Sequence, residues 1–318
     1  MPELPDITVY TERLAALAGG SVLRHIRLLN PFLLRTAVPA IAQAEGRRLA
    51  GVERLGKRVV LALATVESDA HPPADSADVV PTPAPGEPLF LVLHLMIAGR
   101  LHWKPPGARL PGGKATLAGF EFDAGTLVLT EAGTQRRASL HLVAGRAALA
   151  ALDPGGIDPL ACTLAEFSAR LTSENHTLKR ALTHPQRFSG IGNAYSDEIL
   201  HRARLSPLTL TRTLDAPAVA RLFSATAQVL NDWTGRLRAE AARSGWPDKV
   251  TAFRPEMAVH GRFGQPCPDC GAPVQRIVHG EQETNYCARC QTGGRLLADR
   301  ALSRLLKDSW PRHLDDLG

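Results

Sequence analysis

Disulfide bonds and a membrane-spanning segment are the first features that this sequence argues against. Only five of the 318 residues are cysteine, which is too few for a disulfide framework in a chain of this length. No apolar run approaches the roughly 18 residues that a membrane-spanning helix needs. The first residues, MPELPD, form neither a basic segment nor an apolar one, so we expect no secretory signal. These absences predict a cytoplasmic protein with reduced cysteines and no membrane partner.

Four of the five cysteines form two Cys-x-x-Cys pairs, and they are Cys267, Cys270, Cys287 and Cys290. Four thiolates at this spacing can complete a tetrahedral shell around one Zn²⁺. Two disulfides or four unrelated thiols are the alternatives, and the scarcity of cysteine elsewhere argues against both. The segment between the pairs is typical of a β-hairpin that turns near His279-Gly280. A ribbon this small has almost no core, so we expect one structural zinc to supply its folding energy.

Positive charge is concentrated in one part of the chain. The formal net charge is +6, and residues 176–250 contribute 11 basic and 6 acidic side chains. A basic segment beside a zinc ribbon fits a polyanionic partner. The charge alone does not identify the partner, because many proteins with neutral partners are equally basic.

The spacing of apolar residues predicts an α+β protein with four parts. Residues 1–150 begin with a helix and continue as alternating strands, which predicts an N-terminal β-sandwich or barrel. Within it, residues 64–88 are rich in Pro, Ala and Asp and are predicted to be a disordered insertion. Residues 151–255 have helical spacing, residues 256–292 hold the zinc ribbon, and residues 293–318 are predicted to form a helical extension.

Two local patterns carry candidate chemistry. Pro2 permits removal of Met1, which leaves a secondary amine that titrates near pH 8 and can attack an electrophilic sugar carbon. Glu3 and Asp6 stand beside it, although proline and acidic residues are also ordinary at the start of a helix. In residues 190–193, Gly-Ile-Gly-Asn makes a tight turn that opens a helix, and Asn193 at that N-terminus predicts a phosphate site.

Three segments, in this order, resemble the formamidopyrimidine-DNA glycosylase and endonuclease VIII family. They are MPELPD, QRFSGIGNAYSDEILHRARLSP and HGRFGQPC…YCARCQ. The resemblance covers residues 1–292 apart from the insertion. It implies an N-terminal β-sandwich, a helical domain with a helix-two-turn-helix and a four-cysteine zinc ribbon. It also implies a monomeric DNA repair enzyme at the nucleoid, which removes damaged bases and cleaves the backbone by β- or β,δ-elimination.

The resemblance implies roles for single residues. Pro2 is expected to be the nucleophile, Glu3 the acid and base at the opening sugar ring, and Lys57 the lysine that holds a phosphate. The expected DNA contacts are at His94, Arg136, Arg137, Lys179, Asn193 and Gln282. Zinc is expected to be structural, and no small-molecule cofactor is expected.

The chain also departs from the family. Asp6 replaces a glutamate, and Ile97 stands at the position of a methionine that fills the vacated base stack. Arg136 or Arg137 supplies the arginine of that group, but Ala138 replaces its phenylalanine and cannot wedge between bases. Gln282 replaces an arginine that grips phosphate.

These departures predict a preference for single-stranded or distorted DNA. Two alternatives stay open. One is a binding protein for damaged DNA on the same fold that has lost base excision. The other is a glycosylase for bulky or crosslinked lesions, for which the missing wedge is a smaller handicap.

Overall fold

The computed structural model divides into two compact units. It describes residues 1–66, 86–133, 135–247, 250, 254–280, 282–298, 304–305 and 311–317. One unit combines Met1–Pro154 with Thr234–Val250, and the other combines Gly155–Trp233 with Thr251–Gly318. Most of the predicted insertion at 64–88, and part of the predicted extension at 293–318, lie outside the described residues. The four predicted domain boundaries therefore stay predictions.

The first unit begins with helix α1, Leu4–Ala18. Pro5 lies in its first turn, where a fixed φ favours the helix and the missing N–H costs nothing. One face of the helix, carrying Ile7, Tyr10 and Leu14, is fully buried in the core of the unit. The helix ends at Gly19, and Gly20 follows with a φ of +79°.

In the residues that the structure describes, eight antiparallel strands form the β-sandwich that the sequence predicted. They are β1 Leu23–Leu28, β2 Arg48–Leu55, β3 Arg58–Ala64, β4 Leu89–His94, β5 Gly99–Lys104, β6 Thr116–Phe122, β7 Gly125–Glu131 and β8 Ser139–Ala144. One sheet has the order β1-β6-β7-β5 and the other the order β2-β3-β4-β8. Apolar side chains from both sheets share one core, because alternate residues of each strand point inwards. A short helix α2, Gly145–Ala150, follows β8.

The second unit contains helices α3 Leu164–Thr172, α4 Leu178–Thr183 and α5 Asn193–Ala203, and the first part of α6 Ala216–Ser244. Phe167 is at the centre of their packing, with ring centroids 4.7 Å from Phe188 and 5.4 Å from Phe223. Gly192 precedes α5, so this helix starts at the Gly-Ile-Gly-Asn turn as predicted.

The last part of α6 belongs to the first unit. Trp246 follows the helix, is 4% exposed, and donates its indole N–H to the carbonyl of Leu101 at 2.8 Å. Its ring lies 5.6 Å from that of Tyr10 and 6.2 Å from that of Trp103. The indole thus packs the end of α6 into the core of the sandwich.

The zinc ribbon also lies in the second unit. Strands β9 Gln275–His279 and β10 Gln282–Tyr286 pair as an antiparallel hairpin, with Gly280 at a φ of +60° in the predicted turn. Helix α7, Ala288–Thr292, follows. Of the extension, Leu296 and Leu297 pack against Tyr286 and Ala288, so this part of the tail lies against the ribbon.

Among the residues that the structure describes, no helix combines the length and the apolar character needed to cross a membrane.

Candidate active site and metal centre

The start of the chain is held in one conformation by the first turn of α1. Pro2 and Glu3 are both buried, and Glu3 is only 2% exposed. The backbone N–H of Glu3 donates to Asp6 Oδ2 at 2.9 Å. The acid at this position therefore satisfies a backbone donor that the helix itself leaves without an acceptor.

Burial of the chain start favours a neutral amine. Burial lowers the pKa of the Met1 amino group, and the nearby charges of Arg100 and Lys57 lower it further, while Glu3 and Asp6 raise it. Only the unprotonated form of an amine has a lone pair with which to attack carbon. The Met1 amine is thus more readily unprotonated than an amine in water.

Strand register brings Lys57 and His94 to one end of a sheet. Lys57 follows Gly56 in the turn between β2 and β3. The next residue, Arg58, pairs with His94 at the end of β4. His94 pairs in turn with Ser139 at the start of β8. The turn with Lys57, the end of β4 and the loop that precedes β8 therefore lie side by side.

The loop before β8 carries the predicted arginine contacts. The carboxylate of Glu131, 1% exposed, accepts the backbone N–H groups of Arg137 at 3.0 Å and Ala138 at 3.1 Å. Arg136 and Arg137 have exposed side chains, whereas Ala138 is buried in the core. Ala138 therefore offers no protruding side chain at the position where the resemblance expects a phenylalanine. Ile97, in the turn after β4, is 58% exposed.

His94 is a neutral side chain at physiological pH. Burial first, and then the charges of Arg58, Lys57 and His141, lower the pKa of His94 to about 4. The imidazole can therefore offer one N–H to a phosphate oxygen, but it adds no positive charge.

Lys179 lies in the interior of the second unit. Its ammonium group donates to Asp197 Oδ1 at 2.5 Å and to the carbonyl of Asn193 at 2.7 Å. Asp197 is 1% exposed, and its other oxygen is 2.7 Å from Nδ1 of His260. Lys179 thus neutralises a buried carboxylate. The expected contact between Lys179 and a flipped base stays a prediction.

Helix α5 is tied to the zinc ribbon along its buried face. The side-chain amide of Asn193 donates to the carbonyl of Glu283 on β10 at 2.9 Å. Glu198 accepts the backbone N–H groups of Ala258, Val259 and His260 at 2.7 to 3.0 Å. The expected phosphate contact of Asn193 stays a prediction, and the side chain of Gln282 lies outside the described residues.

The sequence motifs do not predict these buried partners. Asp197 and Glu198 stand next to each other on α5, and two adjacent acids followed directly by the apolar Ile199 and Leu200 are the local signal in the sequence. Lys179 is 18 positions from Asp197, but the remaining partners named above come from residues 258–260, and no local pattern indicates that distance.

The four cysteines of the ribbon fit a tetrahedral zinc site. Their ligand atoms all lie within 4.8 Å of one another, with Sγ–Sγ distances of 3.9 Å for Cys267 and Cys290 and 3.4 Å for Cys270 and Cys287. Zn–S bonds of about 2.3 Å at tetrahedral angles place the sulfurs about 3.8 Å apart. Burial raises the pKa of the Cys287 thiol to about 11, so four crowded thiolates need a cation to stabilise them. The ribbon therefore holds one structural zinc.

Comparisons with known proteins agree along most of the chain. Residues 1–138 match the formamidopyrimidine-DNA glycosylase N-terminal domain. Residues 156–235 match the H2TH domain of the same enzymes. Residues 264–293 match a zinc finger found in FPG and IleRS.

Individual relatives cover almost the whole chain. The formamidopyrimidine-DNA glycosylase of Thermus thermophilus is 32% identical over 305 residues, which is 92% of this chain and 100% of the relative. That of Deinococcus radiodurans is 30% identical over 92% of this chain and 97% of the relative.

Solved structures also match most of this chain. The crystal structure of MutM (Fpg) from Thermus thermophilus has a TM-score of 0.68 at 30% identity, over 91% of this chain and 98% of that one. The Lactococcus lactis Fpg in complex with N7-Benzyl-Fapy-dG containing DNA has a TM-score of 0.75 over 92% of this chain and 100% of that one. Its identity of 21% supports the fold alone.

The lowered pKa of His94 predicts a loss of stability in acid. Since this pKa is about 4 in the folded chain and about 6.5 in the unfolded chain, the unfolded state binds the proton more readily between these values. Stability should therefore fall as the pH drops from about 6.5 to 4, by at most roughly 3 kcal/mol. His94→Gln should remove most of this dependence in urea titrations at pH 7.5 and 4.5.

The exposed His25 provides the matched control, because His25→Gln leaves the buried site unchanged. Equal losses of stability on acidification in the wild type and in His94→Gln would refute the assignment.

The ion pair between Lys179 and Asp197 predicts that the effects of substituting these two residues on stability depend on each other. Lys179→Met should destabilise the protein by about 3 kcal/mol or more, because the carboxylate of Asp197 stays buried without its cation. Asp197→Asn in the same chain should recover part of that loss, since it removes the stranded charge. Urea unfolding monitored by tryptophan fluorescence measures both effects. Lys104→Met, at an exposed lysine, is the control, and a Lys179→Met protein as stable as the wild type would contradict the assignment.

Proposed function

The chain belongs to the formamidopyrimidine-DNA glycosylase family, and on that basis we propose that it repairs DNA by excising damaged bases through the amine of Pro2. The proposal includes cleavage of the backbone by elimination at the site that excision creates. The buried chain start carries the proposal. Pro2 and Glu3 are held there by the first turn of α1, where burial disfavours a charged amine.

The proposed chemistry begins with base removal. Once Met1 is absent, the lone pair of the Pro2 nitrogen attacks C1′ of a nucleotide turned out of the duplex. The bond from C1′ to the base breaks, and the base leaves with the electron pair and a proton. Glu3 donates a proton to the sugar ring oxygen as the ring opens. The product is an iminium cation that joins Pro2 to the sugar.

Elimination follows from the iminium. Its positive charge acidifies the hydrogens at C2′, and a base removes one of them. The electron pair forms a C2′–C3′ double bond, and the C3′–O bond breaks with the phosphate as leaving group. Water then hydrolyses the iminium and restores the amine.

Residues at one end of the sheet would hold the DNA backbone. Lys57 supplies a positive charge for a phosphate, and the neutral His94 supplies an N–H. Arg136 and Arg137 extend from the loop before β8, where exposed guanidinium groups suit phosphate or base edges. The four-cysteine zinc centre supports the ribbon and takes no part in these bond changes.

We also assign a preference among DNA forms. A duplex resists loss of a base because the neighbours must unstack, and an inserted aromatic side chain offsets part of that cost. Ala138 is buried in the core and is held there through its backbone bond to Glu131. The chain therefore lacks this wedge, and single-stranded or already distorted DNA becomes the better substrate.

A second candidate function is binding of damaged DNA without efficient excision. The missing wedge at Ala138 favours it, whereas the intact chain start at Pro2 and Glu3 opposes it. A glycosylase for bulky or crosslinked lesions is a variant of the first function, because such lesions already distort the duplex. In every case we propose a monomer that acts on DNA at the nucleoid, without a small-molecule cofactor.

The nucleophile is tested by trapping the iminium with borohydride. The wild-type protein should form a covalent adduct with abasic DNA, detected as a shifted band in a denaturing gel. Pro2→Gly should lose most of the adduct, because a primary amine gives a neutral imine and lacks the rigid ring. Its zinc content and DNA affinity should stay near those of the wild type.

Pro5→Ala is the matched control, since it changes a proline of the same helical turn and keeps the proposed nucleophile. An adduct of unchanged yield in Pro2→Gly would exclude Pro2. Binding of damaged DNA by the wild type with no adduct on any substrate would favour the binding protein.

The preference among DNA forms is tested with one oxidised base in a single strand, a bubble and a matched duplex. Base release in a single turnover should be at least about tenfold slower from the duplex, since unstacking costs a few kcal/mol and about 1.4 kcal/mol corresponds to a factor of ten. An abasic site in the same strands is the control. It has no stacked base to extrude, so its cleavage should differ much less. Equal or faster release from the duplex would overturn the preference.

A further inference from the structure

One zinc ligand, Cys267, has its hydrogen-bond partner outside the ribbon, unlike Cys270 and Cys287. Two of the other sulfurs accept a backbone N–H from within the ribbon. The N–H of Ala272 serves Cys270, and the N–H of Cys290 lies 3.5 Å from Cys287 Sγ. Cys267 Sγ instead lies 3.3 Å from Nε2 of His201, a side chain of α5.

His201 is enclosed at this position. The residue is 4% exposed, and Cys267 is 2% exposed. Nearby, Gln291 of α7 donates its side-chain N–H to the carbonyl of Leu205 at 2.8 Å. The end of α5 is thus packed against the knuckles of the ribbon, which fixes the ring in front of the sulfur.

The chemistry of the centre decides which atom carries the hydrogen. A cysteine bound to zinc is a thiolate, which has no hydrogen and can only accept. The contact is therefore a hydrogen bond only if Nε2 is the protonated nitrogen and donates to Cys267 Sγ. Four thiolates around Zn²⁺ leave two net negative charges, and an N–H donor offsets part of this excess.

We propose that His201 is a positioning residue of the zinc centre, which stabilises the Cys267 thiolate and slows the loss of zinc. The family expectation covers the four cysteines, whereas this assignment adds a donor from the helical part of the unit. Asp269, between the cysteines of the first pair, has its Oδ2 at 4.0 Å from the same nitrogen. At that distance it gives electrostatic support to the ring, while the sulfur is the nearer acceptor.

Two substitutions separate the hydrogen bond from the packing. His201→Phe keeps a planar ring of similar size and removes the donor, whereas His201→Gln keeps an N–H donor. Both are made in the full chain loaded with zinc. His279→Phe, at an exposed position of the ribbon, is the matched control for the change itself.

The first measurement is the rate of zinc release into excess chelator, followed with a chromogenic zinc indicator. His201→Phe should release zinc about 10 to 100 times faster, which is the range for loss of a partner of a metal ligand. His201→Gln should stay closer to the wild type, and His279→Phe should match it. A wild-type rate for His201→Phe, or equal rates for His201→Phe and His201→Gln, would overturn the proposal.

The second measurement locates the effect. Iodoacetamide labelling read by mass spectrometry should show faster alkylation of Cys267 in His201→Phe, with a smaller change at the other three ligands. Equal acceleration at all four cysteines would mean that the substitution only loosens the fold and would refute the hydrogen bond. If His201→Phe does not fold, His201→Met gives the same comparison without a donor.

Discussion

The buried carboxylates of Asp197 and Glu198 form the interaction on which the second unit depends. One neutralises Lys179 and contacts His260, and the other accepts three successive backbone N–H groups from residues 258–260. Burial of a carboxylate is tolerated only when its lone pairs are satisfied, so these contacts specify where the segment before the ribbon must lie. With that segment fixed, the C-terminal part of α5 brings His201 to the sulfur of Cys267. The fold and the metal centre therefore share one helix.

The first unit depends on strand register in a comparable way. A shift of one residue in β4 would turn its side chains to the other face of the sheet. The observed register sets His94 between Arg58 and Ser139, which explains both the position and the lowered pKa of this histidine. Its neighbours Arg58 and Lys57 make the same end of the sheet positive. A core that needs this register for packing thus also fixes the positive charges beside His94.

Sequence alone predicted the features that depend on local spacing. The two cysteine pairs, the hairpin turn at Gly280 and the start of α5 each follow from a few neighbouring residues, because turn chemistry and ligand spacing are local. The partners of Asp197 and Glu198 in residues 258–260 could not be predicted, since they lie at least 60 positions along the chain. The same holds for His201, whose donor role depends on where the ribbon docks. Replacement of a wedge by Ala138 was visible in the sequence, but its burial in the core was not, because burial is set by Glu131 and the register of β8.

The position of Lys179 limits how the second unit can take part in recognition. The resemblance expects this lysine near a displaced base, yet its ammonium group already binds Asp197 Oδ1 and the carbonyl of Asn193. An ammonium group has three N–H donors, so a base would have to use the N–H that neither Asp197 nor Asn193 accepts. The carboxylate of Asp197 is itself held on its other side, since Nδ1 of His260 lies 2.7 Å from its second oxygen. Recognition through Lys179 would therefore be limited to one N–H, whose direction the bonds to Asp197 and Asn193 restrict.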